Sequence, residues 1–407
     1  MRNLGFKKAV AALLAMLLLF SALPLSASAA SDTSETDNSS SISYTDRMME
    51  QVSELLTSES YEEYSERYAS VPMATDTIEI SGAEYDKETT TDTAVEIGNF
   101  GGEDNVLKTG DTGEVSWRFT VPKDARYVVD VYYYPIEYKK SDIERILKID
   151  DSVPFTEARN VVMHRIWQNE YTSYDENGTP MFEINSIGSE MRPARVESPE
   201  WVVYTMHDTT GYVFEDFAFY LSEGEHTISL QAAREELVIG KIVLRPADEP
   251  AKSYAELQAE YEQKGYQPVS EDAVIRIDAE KPTKMSNNSI FCTYDRSSAI
   301  TDPQDPAKIR YNTIGSGTGW QTVGMWIEWE FTVEESGIYD IYMRYRQNTL
   351  PDIFTCRKLT INGELPFAEA EALRYKYSED WQAEKINDGE NTYSLYFEAG
   401  QTYTLRL

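Results

Sequence analysis

The chain has 407 residues and a formal net charge of −33, with 37 Lys and Arg against 70 Asp and Glu. That excess is spread along the sequence, which excludes the clustered cations a nucleic-acid or anionic-membrane surface would need. Its length allows two or three domains, and 28 tyrosines in a 41% apolar chain suit packed cores rather than wholesale disorder.

Residues 1–29 read as a secretory signal. Arg2, Lys7 and Lys8 precede the apolar run Ala9–Leu23, and Ala27-Ser28-Ala29 supplies small residues for cleavage. No later stretch approaches a spanning helix, so no membrane insertion is expected after cleavage. Residues 30–43, rich in Ser, Thr and Asp, read as a disordered linker. Helical spacing covers 44–70, through Met48, Val52, Leu55 and Leu56 and then Tyr61, Tyr64 and Tyr68; Ser60 and Glu63 form a capping-box pattern.

A β-rich module follows over 71–247. It opens at Ile78-Glu79-Ile80. Val115, Trp117, Phe119 and Val121 alternate with polar residues, and Tyr127, Val129, Val131 and Tyr133 do so after a turn. Further strands are expected at 146–149, 217–221, 226–230 and 238–244. The region 248–268 reads as a helical linker, with Ser253-Tyr254-x-Glu256 repeating Ser60-Tyr61-x-Glu63, and 269–407 as a second module.

The second module repeats the first. Trp117–Ala158 aligns without a gap on Trp329–Ala370 at an offset of 212, with 13 of 42 positions identical, Arg145/Arg357 and Glu157/Glu369 among them. Ile275-Arg276-Ile277 echoes the opening strand, and Asp150-Asp151 and Asn362-Gly363 occupy the same hairpin position. Strand 238–244 has no counterpart before Leu407, so the second module is expected to be C-terminally truncated and the chain a fragment with an unpaired edge. The expected fold is all-β: two tandem antiparallel β-sandwich modules of jelly-roll form, each preceded by a short helix.

No HExxH or GxSxG motif occurs, and paired carboxylates mean little in so acidic a chain. The expectation is a non-catalytic protein. Aromatic side chains stack on sugar rings, and Asn, Asp, Gln and Arg bond hydroxyls. The copies differ most in an insert over roughly 168–205 of copy one and in 286–320 of copy two. The candidate carbohydrate-binding residues are Trp167, Trp201, Tyr204, Arg192, Arg195, Trp320, Trp326, Trp381 and Arg310. Each of the loop Trp also admits a packing role, and the insert reads equally as an inter-module packing loop. Retained Arg145 and Arg357 read as Arg–carboxylate pairs or as sugar contacts. Asp278, Glu280, Glu79 and Glu84 are weak metal candidates for a structural Ca²⁺. Cys292 and Cys356 leave a disulfide open.

The IxI strand, the W-x-F-T-V turn Y-x-(I/V)-x-(V/M)-x-Y pattern, the I-(D/N)-(D/G) hairpin and E-G-E-H-T-I-S-L resemble galactose-binding-like sandwiches of carbohydrate-binding module families 6 and 35. IERILKIDDSVPFTEA, ESPEWVVYTMHDTTGYVFEDFAFYLSEGEHTISL and FCTYDRSSAITDPQDPAKIRYNTIG resemble the N-terminal region of large extracellular solute-binding proteins of Gram-positive carbohydrate ABC transporters. The resemblance implies a secreted, cell-surface-associated protein that binds an oligo- or polysaccharide in sugar uptake, with an ABC transporter permease as partner through a further domain. The calcium site is likewise a feature of the modules resembled. The chain lacks the lipobox Cys of the anchored form. Two alternatives stay open: an accessory region of a polysaccharide-degrading enzyme, and a structural or adhesive surface pair.

Overall fold

The computed structural model describes residues 59–407 apart from 138, 140, 177 and 318; the signal, the linker and the first part of the predicted 44–70 helix lie outside the described residues. Helix α1, Tyr61–Arg67, starts on a closed capping box in which the Ser60 hydroxyl accepts the Glu63 N–H and the Glu63 carboxylate accepts the Ser60 N–H. Helix α2, Tyr254–Lys264, repeats this with Ser253 and Glu256 and stops at Gly265, whose φ of 70° suits only glycine without strain.

The first module has strands β1 (Ile78–Ser81), β2 (Glu96–Phe100), β3 (Glu103–Thr109), β4 (Glu114–Val121), β5 (Ala125–Pro135), β6 (Ile143–Ile149) and β7 (Val161–Met163). The insert contributes β8 (Trp167–Glu170), a small β9 (Ser173–Tyr174) and β10 (Pro180–Met181) hairpin, and β11 (Ala194–Glu197). The module closes with β12 (Val202–Thr205), β13 (Ala218–Leu221), β14 (Gly224–Arg234) and β15 (Leu237–Arg245). One sheet runs β12-β5-β15-β3-β2, with β13 also on β5 and β1 also on β15; the facing sheet runs β4-β14-β6-β7. Every pairing is antiparallel.

The alternation read from the sequence is the packing. Tyr127, Val129, Val131 and Tyr133 of β5 face Trp117, Val121, Leu147 and Ile228 of the other sheet, all within 2% exposure. The core is extended by α1, whose Tyr61 and Tyr64 rings lie against Phe155.

The second module has β16 (Lys284–Met285), β17 (Cys292–Thr293), β18 (Thr313–Ile314), β19 (Ile327–Thr332), β20 (Gly337–Asp340), β21 (Tyr342–Tyr345), β22 (Phe354–Arg357), β23 (Thr360–Ile361), β24 (Leu373–Lys376), β25 (Gln382–Lys385), β26 (Ser394–Phe397) and β27 (Thr402–Arg406). Its all-β character follows the first copy. Trp329 donates its indole N–H to the Ala279 carbonyl as Trp117 does to that of Gly82, each at 3.0 Å. Asp150-Asp151 and Asn362-Gly363 both turn with positive φ at two successive residues, the type I′ signature.

Two expectations are corrected, and the disulfide that was left open is answered. Residues 275–277 form no strand. Among the described residues buried Arg145 bonds no carboxylate: its guanidinium donates to the carbonyls of Glu144, Arg234 and Gly110 and to the Thr109 hydroxyl. Arg357 likewise donates to the Cys356 and Trp320 carbonyls. Cys292 and Cys356 are both free, the first buried and the second exposed.

Candidate functional site

The insert of copy one, read as a binding loop or as an inter-module packing loop, sends its strands into the second module's sheet. β11 and β8 extend the second module's sheet in the order β11-β8-β16-β19-β27-β23, with Trp167 opposite Met285. Trp167 is 7% exposed and Met285 fully buried, so this ladder is the hydrophobic joint between the copies. Around it, the Tyr311 N–H donates to the Glu190 carboxylate at 2.7 Å, Arg310 donates to the Gly188 carbonyl at 3.0 Å, and Arg195 donates to the Asn288 carbonyl at 2.6 Å. Arg192 lies 4.1 Å above the Phe291 ring. Trp167, Arg192, Arg195 and Arg310 thus all lie at this joint, the three guanidinium groups contacting the other module.

The remaining candidates scatter. Tyr204 is 7% exposed in the first core. Trp320 is covered by Arg357 at 4.2 Å and donates to the Met325 carbonyl; Trp326 is covered by Arg406 at 3.9 Å, and Arg406 is paired with Glu328. Trp381 lies under Arg346 at 5.0 Å, and Arg346 pairs with Asp295. For the metal candidates, Asp278 pairs with Arg276 and Lys281, Glu79 with Lys241, Glu84 ends a one-turn 3₁₀ segment, and Glu280 is buried. Among the described residues no three His, Cys, Asp or Glu side chains gather as a metal-binding group.

Trp201 packs beside a cleft-lining residue, Tyr134. It is half-buried on the outer face of the β12-β5-β15-β3-β2 sheet, donates its indole N–H to the Gly101 carbonyl at 3.0 Å, and lies 5.6 Å from the Tyr134 ring. Gly240, at the bulge in β15, makes this possible, since a Cβ there would meet the indole at 3.0 Å. Gly101 and Gly102 close the β2–β3 hairpin with φ of 57° and 82°, and a Cβ on Gly101 would come within 2.6 Å of the Tyr134 ring. Beside these rings is a cleft of about 230 Å³ lined by Phe100, Gly101, Tyr134, Ile136, Glu137 and Val238. Burial, followed by the Glu137 and Glu197 carboxylates, holds the Tyr134 phenol above its ordinary pKa, so it stays a neutral hydroxyl. The cleft offers aromatic walls, one carboxylate and one phenol: an apolar floor with a polar edge.

Phe100 and Tyr134 were not among the sequence candidates. The signal was present in Tyr132-Tyr133-Tyr134, where an alternating strand puts aromatic residues on both faces and only Tyr133 belongs to the core.

No family model matches the chain, and no curated protein matches it. Among solved structures it is similar to the CBM35 of Cellvibrio japonicus Abf62, at 11% identity over 42% of this chain and 95% of that one, TM-score 0.23. It is also similar to a CBM35 from Paenibacillus barcinonensis, at 12% identity over 42% and 99%, TM-score 0.23. A third is a GH26-CBM35 beta-(1,4)-mannanase of Podospora anserina, at 11% identity, TM-score 0.24, where 47% of this chain aligns with 35% of the enzyme. The chain thus spans about a third of that enzyme. TM-scores this low carry no argument about function, and the sandwich rests on its own strand pairing.

Proposed function

We infer that this protein binds carbohydrate without altering it, through the aromatic cleft on the outer sheet face of the first module. The observation that carries the reading is an open cleft lined by Phe100 and Tyr134 and edged by Glu137, with the Trp201 ring packed beside Tyr134. A pyranose presents an apolar C–H face to such rings and hydroxyls to the carboxylate and phenol. Aromatic rings supply large contact area at small entropic cost. The signal-like N-terminus and the resemblance to carbohydrate transporter components support an extracellular, cell-surface setting in sugar uptake. A transporter permease is the partner that this reading proposes.

The test is a glycan array with the full chain, followed by titration of the tightest hit against Phe100→Ala and Tyr134→Ala. The reading expects each variant to weaken binding at least about tenfold, the equivalent of losing one stacked ring. Unchanged affinity in both, with a bound glycan, moves the site elsewhere. No bound glycan at all overturns carbohydrate binding and favours an adhesive or structural pair.

A further inference from the structure

Two residues that line the cleft accept hydrogen bonds from side chains leading to the second module. The Gly101 carbonyl takes the Trp201 indole N–H at 3.0 Å, and the Ile136 carbonyl takes Nη1 of Arg165 at 2.6 Å. The same Nη1 donates to the Glu197 carboxylate at 2.6 Å. Glu197 stands opposite Trp167 in the β11–β8 ladder, and Trp167 stands opposite Met285 of β16. Glu200, the residue before Trp201, takes Nζ of Lys284, also in β16, on both carboxylate oxygens at 2.9 and 2.7 Å. Both routes out of the cleft therefore end on the same short strand of the second module.

Neither route has slack. Arg165 is fully buried, and its Nε donates to the Ser141 carbonyl at 2.7 Å, so its planar fork holds Ile136, Ser141 and Glu197 in one fixed relation. Segment 197–201 is a strap tied at Glu197 and at Glu200, and Pro199 between them fixes one of its backbone dihedrals. Trp201 ends the strap, with Gly240 beneath its ring and Tyr134 beside it. The Glu200–Lys284 pair is partly solvent-facing, at 42% and 25% side-chain exposure, so it adds little to overall stability and acts by fixing where the strap lies.

We propose that Lys284 of the second module, through Glu200 and Trp201, and Arg165, through Ile136, are positioning residues for the cleft of the first module. The second module thereby presets the cleft's shape. The consequence for glycan affinity rests on the carbohydrate reading above; the consequence for backbone motion at the cleft does not.

The test is hydrogen–deuterium exchange of the full chain without glycan, read by mass spectrometry. In Lys284→Ala and in Glu200→Ala, segments 99–102 and 199–203 are expected to exchange about threefold faster, while 117–121 of the first core keeps the parent's rate. The double variant is expected to be no faster than either single one, because all three lose the same contact. Lys284→Arg keeps a cation for Glu200 and is expected to hold the parent's rates. Titration with the tightest glycan of the array is expected to show affinity about threefold weaker in both Ala variants and unchanged in Lys284→Arg. Unchanged exchange at 99–102 in the Ala variants overturns the proposal. So does acceleration that extends to 117–121, which is general loosening, or additive effects in the double variant. Equal glycan affinity in parent and Ala variants overturns it as well. A parent chain that binds no glycan overturns the carbohydrate reading alone, and the exchange rates then decide the positioning role.

Discussion

The Glu157 carboxylate accepts the backbone N–H of Tyr61 at 2.8 Å, across 96 residues of sequence. Glu369 takes the N–H of Tyr254 at the same 2.8 Å. Each bond satisfies an orphan donor in the first helical turn and puts a negative charge at the positive end of the helix dipole. The docked helix then covers a sheet edge. The Tyr61 and Tyr64 hydroxyls accept the N–H groups of Ala218 and Tyr220, and those of Tyr254 and Tyr261 accept Ser394 and Tyr396. The retained Glu is therefore the clamp that lets a short helix shield an edge strand. Glu157→Ala and Glu369→Ala are each expected to lower stability by about 1–2 kcal/mol, with the Gln variants losing less. Urea unfolding followed by circular dichroism checks this; unchanged midpoints in both Ala variants would remove the clamp.

Arg145 is 1% exposed, and burial pushes its guanidinium down to about 10. Its fork ties β6, β14 and the end of β3 through three carbonyls and one hydroxyl. Replacing it by Met keeps the volume and strands those acceptors, so Arg145→Met is expected to cost about 3–5 kcal/mol. Arg145→Lys recovers only part, because an ammonium cannot span the fork. Calorimetric melting of the full chain measures both; a shift equal to that of a surface substitution would contradict the assigned role.

What the sequence made legible was whatever recurs with a period. The alternation of β4 and β5, the paired hairpins at Asp150-Asp151 and Asn362-Gly363, and the two capping boxes all follow from local chemistry, and all are present. The inter-module packing reading of the insert was legible, but its register was not, because Trp167 meets Met285 by strand pairing between segments 118 positions apart, which no local pattern encodes. The candidate cleft was half legible: Trp201 was marked as a loop aromatic. Its neighbours Phe100 and Tyr134 reach it only because a left-handed Gly101-Gly102 turn and a bulge at Gly240 bring three strands level.

The joint between the copies makes a prediction of its own. Trp167→Ala removes the buried indole from the β8–β16 contact, and a cavity of that size is expected to cost about 3–5 kcal/mol. The loss falls on the joint and the second sheet, while the core around Trp117 is built from other strands. Small-angle scattering is expected to show a larger radius of gyration for Trp167→Ala. Limited proteolysis is expected to cut first within the insert. A variant as compact and as resistant as the parent chain would mean that the remaining bonds of Glu190, Arg195 and Arg310 hold the modules together unaided.

Glu280 gives the joint a dependence on pH. Its carboxyl is 4% exposed, and burial raises its pKa from the ordinary 4.5 to about 7, with the neighbouring Asp278 carboxylate adding to the rise and Lys281 and Arg276 opposing it. Tyr171 of the insert and Cys292 of the second module are the titratable groups facing it from other elements, both raised by burial and so neutral near pH 7. A carboxyl whose folded pKa lies above its unfolded value binds its proton more tightly in the folded state. Its contribution is complete below about pH 4.5 and is lost as pH rises through about 7. The shift corresponds to at most about 3 kcal/mol. Glu280→Gln fixes the neutral form, so the stability difference between variant and parent is expected to be small near pH 4.5 and to grow in the variant's favour toward pH 8. The comparison cancels the titration of the chain's many other carboxylates, since both proteins carry them. A difference that stays flat from pH 4.5 to 8 would mean that Glu280 ionises at its ordinary pKa and is hydrated in the folded protein.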